Sequence, residues 1–221
     1  MTTYYKVTNE TECHYDFQYK DGLNVLVGPF NDNPSKSCCE GGLYFSSKEH
    51  IHNFYGYGIH LREVFLPTDN PDFKMVEDKS GNKWIANMLI LGKKYNLSNI
   101  DDLKYILNNI NPSTKGLIDS ASENGHVEVL EWFKNSGYEF KYSENTIDKA
   151  SQKGHVEVLE WFNSGYEFKY SSYAIDLASE NGHVNVLEWF KNSGYEFKHS
   201  KKAIDWASEN GHVNVLEWFK N

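Results

Sequence analysis

The chain has 221 residues, 39% of them hydrophobic, which is enough for one or two domains with buried cores. Its net charge of −9 is uneven: residues 1–95 carry 10 Lys/Arg against 12 Asp/Glu, and residues 96–221 carry 12 against 19. That acidic balance argues against a nucleic-acid backbone as partner, because phosphate binding needs a basic footprint. The opening Met-Thr-Thr-Tyr-Tyr-Lys lacks the apolar core of a signal peptide, and no apolar run is long enough to span a bilayer. Cys13, Cys38 and Cys39 form an odd set with a vicinal pair, which fits a reducing compartment better than a disulfide framework. The expectation is an intracellular protein, not secreted, with no membrane and no nucleic-acid partner.

Residues 1–95 read as short strands with one helix. Strands are expected at Tyr4–Thr8, Leu23–Val27, Tyr44–Phe45, His60–Leu66, Phe73–Glu77 and Trp84–Leu91. Clusters rich in Gly, Pro, Asn and Asp separate them, notably Gly28–Pro34 and Pro67–Pro71. Asp78–Asn82 is a hairpin connection between the last two. Ser47–Tyr55 reads as a helix with Ile51, Phe54 and Tyr55 on one face. Ser46 or Ser47 caps its start, and Gly56 and Gly58 stop it.

Residues 98–111 read as a further helix. Ser98 and Asp101 have capping-box spacing, Ile100, Leu103, Leu107 and Ile110 share one face, and Pro112 ends it. Its apolar stripe is expected to cap the first of a series of repeats.

From residue 114 the chain repeats itself four times. Ser122–Phe133 recurs as Ser151–Phe162, Ser179–Phe190 and Ser208–Phe219, with periods of 29, 28 and 29 residues. A period of this size signals stacked supersecondary units stabilised through nearest-neighbour interfaces. Each unit reads as two short helices. In the second unit these run from Ile147 to Gln152 and from Val156 to Asn163, with Gly154-His155 as the turn. Inward pairs are Ile118/Ala121, Ile147/Ala150, Ile175/Ala178 and Ile204/Ala207, and Phe168 anchors the returning linker. The units span about 114–142, 143–170, 171–199 and 200–221. The chain thus divides into a 1–95 α+β domain and a 96–221 helical domain.

The repeated Ala-x-x-x-Gly-His-x-x-Val-x-x-Φ-Φ-x-x-Gly pattern, Φ being apolar, resembles the ankyrin repeat. Ankyrin units are about four residues longer. The shortfall lies between the last glycine of one unit and the first-helix alanine of the next, where the β-hairpin finger belongs. The Thr-Pro-Leu-His opening is replaced by stretches such as Asn145–Asp148 and Lys202–Asp205, whose aspartates are expected to cap or to hydrogen-bond between units. The whole layout, with Tyr4-Tyr-Lys-Val-Thr-Asn9, Cys13–Tyr19 and Gly41–Phe45, is similar to the ankyrin-repeat proteins of mimivirus-type giant viruses. That resemblance implies an α+β chain made of a small β-rich N-terminal domain and an all-α ankyrin-like solenoid of four short repeats. It also implies an interaction protein of unspecified partner, in the host cytoplasm.

No catalytic residue, metal ligand or cofactor is expected. The four turn histidines should stand about 10 Å apart, too far for one ion to bridge, and the Trp132, Trp161, Trp189 and Trp218 column reads as packing between units. Cys13-His14, Cys38-Cys39 and His50-x-His52 lack zinc-site spacing. Gly41–Phe45 followed by Leu61–Pro67 is similar to paired strands of ADP-ribosyltransferase-type domains. This implies the alternative, a nucleotide-binding or transferase enzyme delivered by the repeats. However, residues 1–95 contain no His-Gly, and Glu63 aligns with a structural position.

Binding specificity in a stack must come from positions that differ between copies. The most variable column is Ser120, Lys149, Leu177 and Trp206, followed by the linker positions Tyr142, Tyr170, His199, Tyr173 and Lys202. Tyr and Trp are frequent hot spots, so exposed Leu177 and Trp206 are the leading partner contacts, in an adaptor or scaffold role. The last unit has no successor to cover the outer side of Ile204, Trp206, Val215 and Phe219. That face is expected to fray, to hold the partner, or to dock on a second copy as a homodimer.

Overall fold

The computed structural model describes residues 4–14, 16–32, 40–79, 81–110 and 113–221; the expectations placed on Pro34, Cys38-Cys39 and Pro112 lie outside them. Two compact units emerge, Met1–Leu117 and Ile118–Asn221.

The first unit is built on nine strands, among the described residues: β1 Tyr4–Thr8, β2 Cys13–His14, β3 Phe17–Gln18, β4 Gly22–Val25, β5 Leu43–Ser47, β6 His60–Phe65, β7 Met75–Glu77, β8 Trp84–Ala86 and β9 Met88–Asn96. Seven make one antiparallel sheet in the order β4-β9-β6-β1-β5-β8-β7, and β2 and β3 form a separate hairpin. Alternation along the strands puts Leu43, Phe45, Val64, Ala86, Leu89 and Leu91 into one core with Tyr19. The expected hairpin over Asp78–Asn82 joins β7 to β8, with Glu77 opposite Trp84 and Gly81 at φ +72°.

Several elements differ from the sequence expectation. The expected strand Trp84–Leu91 is two strands, because Asn87 turns aside; its side chain donates to Asp72 O and accepts from Lys74 N, each at 2.8 Å. The second of these strands runs on to Asn96. The helix expected from Ser47 is a 3₁₀ turn over Ile51–Tyr57 that starts after His50 with no side-chain cap. Ser46 and Ser47 belong to β5, and Gly56 lies inside the turn. Gly58 does end it. A Cβ there would stand 2.1 Å from Thr8 O, so close approach of two backbones requires glycine.

Helix α1, Ile100–Asn109, is capped by Asn99, whose side chain accepts from the amides of Asp101 and Asp102. Ser98 instead donates to Asn96 Oδ1. The stripe of Leu103, Ile106, Leu107 and Ile110 is buried, and the helix packs on β9. The ring of Tyr105 stacks on Tyr95 at 5.1 Å.

The only arginine, Arg62, is 1% exposed. It donates to Glu12 Oε1 at 2.9 Å and to Gly92 O at 3.0 Å, and it pairs with Asp21. The two terminal nitrogens are thus paired, which offsets part of the desolvation cost of burying the charge, while Nε has no hydrogen-bond partner among the described residues. Tyr95 donates its hydroxyl to Glu63 Oε1 at 2.8 Å, so the carboxylate singled out by the transferase resemblance is held inside the sheet's hydrogen-bonding.

Helices α2 Thr114–Glu123, α3 Val127–Asn135, α4 Thr146–Gln152, α5 Val156–Asn163, α6 Tyr173–Glu180, α7 Val184–Asn192, α8 Lys202–Glu209 and α9 Val213–Lys220 complete the chain. In the second unit α4 packs on α6 and α6 on α8, while α3, α5, α7 and α9 follow one another in a second row. The close approach is made by alanine: Ala150, Ala174, Ala178, Ala203 and Ala207 are fully buried. Val158, Leu159 and Phe162, with Val186, Leu187 and Phe190, fill the space between the rows. Turn glycines Gly125, Gly154, Gly182 and Gly211 all have φ between 73° and 81°, and the next amide bonds back to the inward alanine's carbonyl, as in His155 N to Ala150 O at 3.0 Å.

Candidate interaction surface

The joints between successive helix pairs repeat with the sequence. Asp148 Oδ1 accepts from Ser171 N at 2.9 Å and Oδ2 from Ser171 Oγ at 2.5 Å; Asp176 does the same with Ser200 at 2.8 and 2.6 Å. Asp119 accepts from Ser143 N at 2.8 Å and from Thr146 Oγ1 at 2.6 Å. The aspartates therefore bond between units, as their positions suggested. Asp205, at the same place in α8, is exposed.

The turn histidines pack across the joints. A Cβ on Gly125, Gly154 or Gly182 would come within 2.5 to 2.7 Å of Nδ1 of His155, His183 or His212. Burial, with His155, His212 and Lys153 nearby, holds His183 below the ordinary imidazole value, against a hydrogen bond that its ring donates to the Gln152 backbone and that favours protonation. Among the described residues no cluster of three or more His, Cys, Asp or Glu is placed to hold a metal ion. Nor is any described helix long and apolar enough to cross a membrane.

The tryptophan column also bridges joints. Trp161 Nε1 donates to Glu131 Oε2 at 2.9 Å, and Trp218 donates to Glu188. Rings continue from one unit to the next: Phe140 stacks on Tyr166 at 4.8 Å, and Phe168 stacks on Tyr195 at 4.6 Å while lying 5.2 Å from Trp189. Phe168 is thus the linker anchor that the sequence suggested.

The residues proposed from sequence as partner contacts fall into two groups. Tyr142, Tyr170 and His199 sit on the linker side. Tyr142 donates its hydroxyl to Glu167 O at 2.8 Å, Tyr170 to Glu196 O at 2.5 Å, and the rings pack on Phe162 and Phe190. Burial, then the neighbouring Glu167 or Glu196, raises both phenols above their usual range. These two side chains are engaged in joining units. His199 is exposed, its ring 5.2 Å from Phe219.

The second group lies on the first-helix row. Lys149 donates to Glu123 Oε2 at 3.0 Å. Tyr173 and Leu177 are one turn apart on α6, and Lys202 and Trp206 are one turn apart on α8, which packs against α6. Lys202 Nζ stands 5.0 Å from the Trp206 ring centre and 5.4 Å from that of Tyr173, so one ammonium ties two aromatic rings together. Tyr173 is 47% exposed. Leu177 and Trp206 were expected to be exposed but are half-buried, Trp206 because the lysine stem and ammonium lie against its ring. Ser120, the first member of that column, is buried.

On the last helix pair, Ile204 is 43% and Val213 60% exposed, and Phe219 is half-buried. Val215 is fully buried, contrary to expectation, because it faces α8 within its own pair.

No family model matches the chain. Among curated proteins it is 48% identical over 133 residues to an "Uncharacterized protein" of Acanthamoeba polyphaga mimivirus, a match covering 59% of this chain and 96% of the relative. Two further proteins of the same virus bear the name "Putative ankyrin repeat protein". One is 46% identical over 129 residues, 58% of this chain and 64% of the relative. The other is 40% identical over 144 residues, 64% of this chain and 43% of the relative. The chain therefore spans less than two thirds of these two. With a β-rich first unit, a paired-helix second unit and relatives at this level of identity, the chain belongs to the family of mimivirus ankyrin-repeat proteins.

Proposed function

We propose that helices α2–α9 form an ankyrin-like solenoid of four short repeats that acts as a protein-binding adaptor or scaffold, not an enzyme, inside the host cell. The single observation that carries this reading is the cluster of Tyr173, Leu177, Lys202 and Trp206. These residues occupy columns that vary from copy to copy, and two neighbouring helices bring them onto one surface. The joint-forming aspartates and Gly-His turns keep the same residue type from copy to copy, whereas this patch combines two aromatic rings, an aliphatic side chain and a cation. Such a surface fits a protein segment that offers an apolar side chain next to a carboxylate.

The test is affinity capture from host-cell extract with wild type and with the Leu177→Ala, Trp206→Ala double variant, each checked for helicity by circular dichroism. A set of proteins held by wild type and lost by a fully helical variant is expected. Equal capture by both would refute the assignment, and loss of helicity would show that the two side chains are core.

A further inference from the structure

Three helix pairs of the second unit, α2–α3, α4–α5 and α6–α7, are covered by the pair that follows them in the chain. Their isoleucines Ile118, Ile147 and Ile175 are fully buried, and so are their serines Ser122, Ser151 and Ser179. On α8–α9 the same two columns are open: Ile204 is 43% exposed, and Ser208 is exposed. Near-identical copies are buried or exposed according to what stands next to them. The three covered pairs therefore show what fits the open face of the fourth.

The covering is polar as well as apolar. Asp148 and Asp176 accept from Ser171 and Ser200. Gly154 O and Gly182 O accept from the side-chain amides of Asn185 and Asn214, at 3.0 and 3.1 Å. Glu131 and Glu188 accept from the indole nitrogens of Trp161 and Trp218. In each of these contacts the earlier pair supplies the acceptor and the later pair the donor. The corresponding acceptors on α8–α9 are Asp205, the Gly211 carbonyl and Glu217, and all three residues are exposed. A Cβ on Gly211 would meet nothing within 4 Å, whereas one on Gly125, Gly154 or Gly182 would meet a histidine ring. Two carboxylates and a carbonyl around an isoleucine are complementary to a surface that brings hydroxyl, amide and indole N–H donors around an apolar centre. The stretch from Ser200 to Trp218 shows such a surface in use, against α6–α7.

We propose that the face of α8–α9 formed by Ile204, Asp205, Ser208, Gly211 and Glu217 is a docking site for a helix pair of this same repeat presented by another polypeptide, whose serine, asparagine and tryptophan donors complete a joint between chains. The site shares no residue with the Tyr173, Leu177, Lys202 and Trp206 cluster, so either can be lost without the other.

The experiment titrates the full ¹⁵N-labelled chain with a synthetic peptide of the sequence 195–221, in which Ile204→Lys keeps a further copy from binding the peptide itself. A saturable movement of the α8 and α9 amides is expected, with those of β1–β9 unmoved and a gain in helical circular dichroism on mixing. Asp205→Ala in the chain should weaken the peptide at least about tenfold, the loss of hydrogen bonds to a charged acceptor. Ser200→Ala in the peptide should weaken binding in the same direction, and it leaves the chain untouched, so it decides the matter even if Asp205→Ala disturbs folding. No saturable shift, equal shifts from a peptide of the same composition in scrambled order, or full affinity of the Ser200→Ala peptide would each overturn the proposal. A chain that is dimeric through this face in sedimentation, and stays dimeric in excess peptide, would make a second copy the occupant and overturn it as well.

Discussion

Replacing Asp176 by alanine removes the carboxylate–serine contact from one joint of the helical unit, and the chain supplies its own control. Asp176 is 1% exposed and accepts two hydrogen bonds from Ser200, at 2.8 and 2.6 Å. Bonds to a charged acceptor contribute about 1.5–3 kcal/mol each, and the lower end applies because deleting the carboxylate also relieves its desolvation. The expected loss is about 3 kcal/mol. A first-turn carboxylate also stabilises its helix through the dipole, and that part must be separated. Asp205 provides the separation: it occupies the same first-turn position in α8 but is exposed. Asp205→Ala should lose only the helix-end contribution of roughly 0.3–1 kcal/mol. Urea unfolding followed by the helical circular-dichroism signal measures both, with slopes expected to match wild type. If the two substitutions cost the same, the dipole carries the effect, and the Asp–Ser joint contributes nothing of its own.

Gly154 and Gly194 share a φ near +81°, but a Cβ on Gly154 would stand 2.7 Å from His183 Nδ1 and one on Gly194 would meet nothing within 4 Å. Gly194→Ala is expected to cost about 1 kcal/mol for the left-handed backbone, and Gly154→Ala at least about 1 kcal/mol more for the contact, read from unfolding midpoints. Equal costs would remove His183 from the account of that joint. His14 and His183 should titrate by proton NMR below the ordinary 6.5, chiefly because the surrounding protein partly desolvates both rings. The unfolded chain then binds protons first, so stability is highest above pH 6.5 and declines as pH falls below it. A midpoint at or above 6.5 for either residue would contradict that partial desolvation.

What the sequence revealed depended on whether a residue's neighbours were close in sequence or repeated at a fixed distance. The helical unit was legible because each contact recurs every 28 or 29 residues, so Ala150, Gly154, Phe162 and Phe168 announce their roles by position. Strand β1 was legible from its own five residues. The break at Asn87 was not, because it depends on Asp72 and Lys74, which a local pattern does not bring together. The stripe of α1 was visible, but its packing on β9 was not, because an apolar face does not name what covers it. The Tyr173–Lys202–Trp206 cluster was half visible: all three positions stood out as variable, and only the packing of α6 on α8 joined them. The burial of Lys6 went unnoticed, although Lys6 alternates with Tyr4 and Thr8 along β1, where an inward charge is a signal in itself.

Every joint between successive helix pairs uses carboxylate to serine and histidine ring to glycine turn; two of the three add tyrosine hydroxyl to linker carbonyl, and two add tryptophan to glutamate. The recurring Asp–Ser and His–Gly contacts therefore match any unit's trailing surface to another unit's leading surface. A segment of 28 or 29 residues can be copied in or dropped out between two joints, and the flanking chemistry still meets. Length becomes a quantity that duplication of the gene can adjust without redesigning an interface, while each added copy brings one more first-helix position free to change its side chain.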